Sequence, residues 1–111
     1  METQDRDRMS GAEFYLLRRL MGLSQDNMAE ILKMKRVSIR QYEIEKLEIP
    51  EGVEWEVEEL IERHTQLVYE MQANVQNGSP IQVRRSDPWQ VGVAMRVLDM
   101  EPNARVEWIT D

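Results

Sequence analysis

Positions 53, 57, 60, 61, 64, 67, 68, 71 and 75 are apolar except for the single histidine, His64, and they recur at helical spacing without interruption. Such a stripe predicts one helix of about 24 residues, on the order of 35 Å long. In a chain of 111 residues that is a severe constraint. The short helices expected before it cannot cover so long a face, so its second half needs another partner. Ile49-Pro50-Glu51-Gly52 forms the turn ahead of it, glutamates crowd its early turns where the helix dipole favours them, and Asn77-Gly78 ends it.

Three shorter helices are expected first. Residues 1–9 are polar and should fray. Ser10, with Glu13 three positions on, makes a capping box. The apolar positions Phe14, Leu16, Leu17, Leu20 and Met21 follow, and Gly22 suits the stop. Ser24 caps a second helix of about eight residues whose Met28, Ala29, Ile31 and Leu32 should face inward. A turn at Lys33 to Lys35 leads to a third helix running from Arg36 to about Lys46.

Ser79-Pro80 breaks the chain again. Ile81–Arg85 alternates as a strand does, Asp87-Pro88 is an N-cap followed by proline, and Trp89 to Met100 carries a helical face of Trp89, Val93, Ala94, Val97 and Leu98. Pro102-Asn103 turns into a last strand, Arg105–Thr110. Two strands alone are marginal. Two copies pooling strands and long helices would answer both shortages, which puts Leu67, Val68, Met71, Trp89, Val93, Val97 and Trp108 at a dimer interface. The expected fold is mostly α. Residues 9–52 form a helix-turn-helix bundle, 53–76 a long linking helix, and 77–111 a small β-α-β dimerisation unit.

Composition narrows the chemistry. The absence of cysteine excludes disulfides and thiolate metal sites. No Ser/His/Asp set, metal-ligand cluster or phosphate loop stands out, so no enzyme, cofactor or metal is expected. His64 reads as a core or interface residue, Trp89 and Trp108 as core anchors, and the eight methionines as adaptable core. No apolar run is long enough to span a bilayer, and Glu2, Asp5 and Asp7 spoil a signal-peptide pattern. A soluble cytoplasmic protein is expected.

The net charge of −7 looks wrong for a nucleic-acid partner until it is located. Residues 1–50 hold nine basic and nine acidic side chains, whereas residues 51–76 hold seven glutamates against Arg63. Lys33, Lys35, Arg36, Arg40 and Lys46 are crowded into one short stretch against Glu43 and Glu45. Phosphates respond to that local field rather than to the sum. On the third helix Ile39 and Tyr42 fall on one side, and Arg36, Val37, Arg40 and Gln41 on the other. Arginine can read guanine, glutamine adenine, and valine the thymine methyl. Ser24, Gln25, Lys35 and Lys46 sit at helix ends, where they can hold phosphates.

Arg18, Gly22-Leu23-Ser24-Gln25, Ala29, Leu32, Ile39, Glu43 and Pro50 together resemble the Cro/phage-repressor, or XRE, type of helix-turn-helix regulator. That resemblance implies a structural ion pair between Arg18 and Glu43, with Gln25 and the start of the third helix at the groove. Three positions depart from the pattern: Lys33 stands at the turn glycine, Lys35 at the third N-cap, and Glu45 at the glycine after the recognition helix. Lysine caps poorly. A start at Ser38 with Gln41 completing a capping box is the rival register, but it leaves barely two turns. Tyr42-Glu43, Ile49-Pro50, Val53, Glu56 and Leu60 look like a narrower group, the YdiL-like proteins and phage anti-CRISPR-associated autorepressors, which dimerise through their C-terminal part.

The expectation is a phage or bacterial homodimeric repressor of transcription binding double-stranded DNA at a palindromic operator. The main alternative is an antitoxin or similar module gripping a protein through the acidic helix and C-terminal unit. RNA binding near Arg84-Arg85 and Trp89 is a weaker one.

Overall fold

The computed structural model describes residues 8–110, and the fraying expected of residues 1–7 lies outside them. Arg8 and Met9 are tied down: the Arg8 Nη2 donates to the Ile49 carbonyl at 2.6 Å, and the Met9 N–H donates to the Glu54 carboxylate. Four helices come first, α1 (Gly11–Leu20), α2 (Gln25–Leu32), α3 (Arg36–Glu43) and α4 (Glu51–Gln76). Strand β1 (Ile81–Arg84), α5 (Pro88–Met100) and β2 (Val106–Ile109) complete a β-α-β unit. The protein is mostly helical, with one small parallel sheet.

Local chemistry fixes the helix starts. Ser10 and Glu13 close their capping box with bonds of 3.0 and 2.8 Å, and Ser24 forms one with Asn27. Asp87 accepts from the Trp89 and Gln90 amides, just ahead of Pro88. Lys35 stands at the N-cap of α3 without a side-chain bond, and α3 begins at Arg36 nonetheless. The helix ends three residues before Lys46, because Glu45 takes a left-handed conformation (φ 63°) and the Lys46 N–H turns back to the Gln41 carbonyl at 2.9 Å. That conformation is unfavourable for a side-chain-bearing residue. The Glu45 carboxylate offsets the cost by accepting from the Gly11 N–H at 2.9 Å, which also caps α1. Lys33 is likewise left-handed (φ 57°) and makes the turn between α2 and α3.

Two cores lie along α4. Phe14, Met21, Met28, Ile39, Val57 and Leu60 anchor the first. Val68, Ile81, Val83, Val93, Ala94 and Val97 form the second. The packing therefore divides partway along α4, whose first half completes the bundle. Its last turns are held by Gln72 and Gln76, which both donate to Glu101 beyond α5. Val68, Val93 and Val97, expected at a dimer interface, are buried inside the single chain. Its own β-α-β unit covers the stripe that looked uncovered. Ile31, expected inward, is exposed, as are Leu16 and Leu20 on the apolar stripe of α1.

His64 sits where the two cores meet. Its ring is buried, stands edge-on to Trp89 at 4.7 Å, and its Nδ1 accepts from the Arg96 guanidinium at 2.9 Å, while Nε2 finds no hydrogen-bond partner among the described residues. Burial, and then the Arg96 charge, pull its pKa from 6.5 to about 4. Nearby, α5 passes so close to the end of α1 that a Cβ on Gly92 would lie 1.9 Å from the Met21 carbonyl oxygen. Only glycine fits there.

Candidate nucleic-acid interface

The outward face of α3 is set from beneath. Ile39 and Tyr42 are buried, and the Tyr42 ring meets Phe14 edge-to-face at 5.9 Å. Arg18 and Glu43 make a two-point ion pair, with Nε to Oε2 at 2.6 Å and Nη2 to Oε1 at 3.0 Å. Their side chains are only 7% and 5% exposed, so the pair is desolvated. Arg18 Nη1 also donates to the Leu23 carbonyl, and Glu43 accepts from Gln25. The Arg18–Glu43 pair thus ties α1, the α1–α2 turn, α2 and α3 together. A buried pair of this kind fixes geometry more than it stabilises.

With that support, Arg36, Val37 and Arg40 project outward together, and Gln41 beside them is half-buried. Lys35 is exposed at the start of the helix, and Lys46 is exposed three residues past its end. Ser24 is exposed at the start of α2; its Oγ accepts from the Asn27 N–H, which leaves the hydroxyl proton as a donor. Gln25 corrects its expected role. Its amide is turned to Glu43 at 3.0 Å, so it braces the helices instead of reaching for a phosphate.

Asp26, which no sequence motif marks, lies 3.4 Å from the Arg36 Nε. Both side chains are well exposed, so the pair is weak and readily exchanged for another anion. Asp26 is ten residues from Arg36, and only the folded turn between α2 and α3 brings them together. Glu45 and Glu54 were also missed. Their partners, Gly11 and the Arg8–Met9 segment, are remote in sequence.

The residues expected at a dimer interface separate into three sets. Leu67, Met71 and Trp89 line an open groove of about 390 Å³ with Ile109, between α4 and the sheet. Val68, Val93 and Val97 are interior. Trp108 is no core anchor: it is exposed, with the Arg85 guanidinium over its ring at 4.8 Å. Among the described residues, no helix is long and apolar enough to cross a membrane. Comparison with protein-family models and with curated proteins gives no match.

Proposed function

We propose that this chain is a sequence-specific protein for double-stranded DNA, acting as a homodimeric repressor at a palindromic operator through α3. The divided surface of α3 carries the reading. Arg36, Val37 and Arg40 are exposed on one side, Arg36 only weakly paired with Asp26, while Ile39 and Tyr42 lock the other into a core braced by Arg18 and Glu43. A short helix held rigidly by its back, with guanidiniums forward, suits the major groove.

In this reading Arg36 and Arg40 bond guanine edges, Val37 meets a thymine methyl, and Gln41 reaches an adenine at the inner margin. Lys35, Lys46 and the Ser24 hydroxyl hold phosphates and set the register. The resemblance to Cro/phage-repressor regulators agrees with it, and implies a cytoplasmic protein. Repression then needs nothing beyond occupancy of a promoter, its own included.

A gel shift on the DNA upstream of the chain's own coding sequence, with a salt titration, tests the proposal. Binding should be specific and should weaken steeply with salt. Unchanged operator affinity in both Arg36→Ala and Arg40→Ala would overturn the assignment of α3.

A further inference from the structure

We infer that the free edge of β2 is the seam between two copies of the chain, the two strands running antiparallel about a two-fold axis at Val106. The inference rests on the homodimeric reading above and adds to it the joining element and its register.

The first observation is an imbalance within the sheet. Parallel register sets Ile81 beside Val106 and Val83 beside Trp108, so these four side chains share one face. Ile81 and Val83 are 0% and 4% exposed, whereas Val106 and Trp108 are 50% and 61% exposed. The helical cover stops at β1, and β2 carries its apolar side uncovered.

The second is the edge itself. The Ile81 N–H donates to the Arg105 carbonyl at 2.8 Å, so Arg105 directs its polar backbone groups at β1. By the alternation of a strand, Val106 directs its N–H and C=O to the open edge. An edge meant to stay single is commonly blunted by lysine, proline or a bulge. β2 reads Val-Glu-Trp-Ile and has neither lysine nor proline.

The third is charge, which selects the register. Two identical antiparallel strands must place some residue against itself. Centring on Glu107 sets two carboxylates face to face, which is unfavourable. Centring on Trp108 sets Glu107 against Ile109 and gives the carboxylate no cation across the seam. Centring on Val106 sets Arg105 against the partner's Glu107 on both sides of the axis. It also sets Trp108 against the partner's Ala104, which leaves room for the indole. Within one chain Arg105 and Glu107 already lie 3.6 Å apart on the solvent side, so pairing needs only an exchange of partners. The product is a four-stranded sheet ordered β1-β2-β2-β1.

The chain has no native cysteine, so a single introduced thiol can link only to its own copy. Val106→Cys treated with a short bifunctional thiol reagent should give a covalent dimer, and Gln82→Cys, on β1, should not. Arg105→Glu and Glu107→Arg should each weaken self-association on the order of tenfold. Mixed together, these two variants should form heterodimers selectively in native mass spectrometry. A pairing within one chain cannot produce that result, because each variant carries like charges at both positions. A wild-type dimer with no link at position 106 and no selective mixing would overturn the seam and leave the homodimeric reading standing. A wild-type chain that sediments as a monomer at all concentrations, bound to operator or free, would overturn both.

Discussion

The N-terminal core and the C-terminal core share α4 but treat their surfaces differently. In the first, the charged side chains drawn inside find counterparts: Arg18 meets Glu43, and Glu54 meets Arg8 and the Met9 amide. In the second, β1 is covered and β2 is not, so large apolar side chains stay in water. The first unit pairs its charges within one chain, although Leu16, Val37, Ile44 and Trp55 are exposed on it as well. The second has the features of half an assembly.

Several changes would break or sharpen this contrast. The largest effect should come from Arg18→Ala, which strands the Glu43 carboxylate inside the closed core. We expect a loss of about 3–5 kcal/mol in urea unfolding. Arg18→Met combined with Glu43→Leu should recover most of it. If the single variant unfolds like the wild type, the ion pair is not what closes the first core.

Acid should act at the junction of the two cores. His64 is neutral when folded, with its pKa lowered from 6.5 to about 4. Above pH 6.5 it is neutral in both states and contributes no slope. Below that the unfolded chain takes up a proton that the folded chain refuses, so stability falls until about pH 4. The total is roughly 3 kcal/mol. Urea midpoints between pH 7 and 5, where most carboxylates remain ionised, should slope in the wild type and flatten in His64→Leu.

Gly92→Ala tests how tightly the two units are pressed together. The added methyl meets the Met21 carbonyl, and overpacking should outweigh the gain in helix propensity, for a net cost of about 2 kcal/mol. Arg40→Ala should leave unfolding unchanged and cost about 1–3 kcal/mol of operator affinity, read by gel shift. Lys33→Gly, at a left-handed turn, should stabilise the first core by no more than about 1 kcal/mol, seen as a higher thermal midpoint.

The features legible in the sequence were those decided locally. Ser10, Ser24 and Asp87-Pro88 announce their helices because a cap needs only the next few residues. The mostly helical class and the length of α4 follow from periodicity. Inward and outward assignments on α3 held for Ile39 and Tyr42, since an eight-residue helix against a core has one side to bury. Periodicity overreached on α1 and α2: Leu16, Leu20 and Ile31 lie on stripes wider than the neighbours that cover them. It misjudged Val68, Val93 and Val97 for the opposite reason, because no local signal says that a β-α-β unit will fold back on α4. Glu45 at a glycine position made sense only once Gly11 was beside it. Asp26 next to Arg36 was hidden in the same way.

The unbroken course of α4 through both cores makes it a ruler. Because α4 runs without a break from Glu51 to Gln76, the distance and phase between the parts of the two cores packed along it are set by residue count. Inserting a single residue midway, between 61 and 67, would lengthen the rod by about 1.5 Å and swing everything beyond it through about 100°. A binding site of fixed half-site spacing would notice the swing long before it noticed the added length.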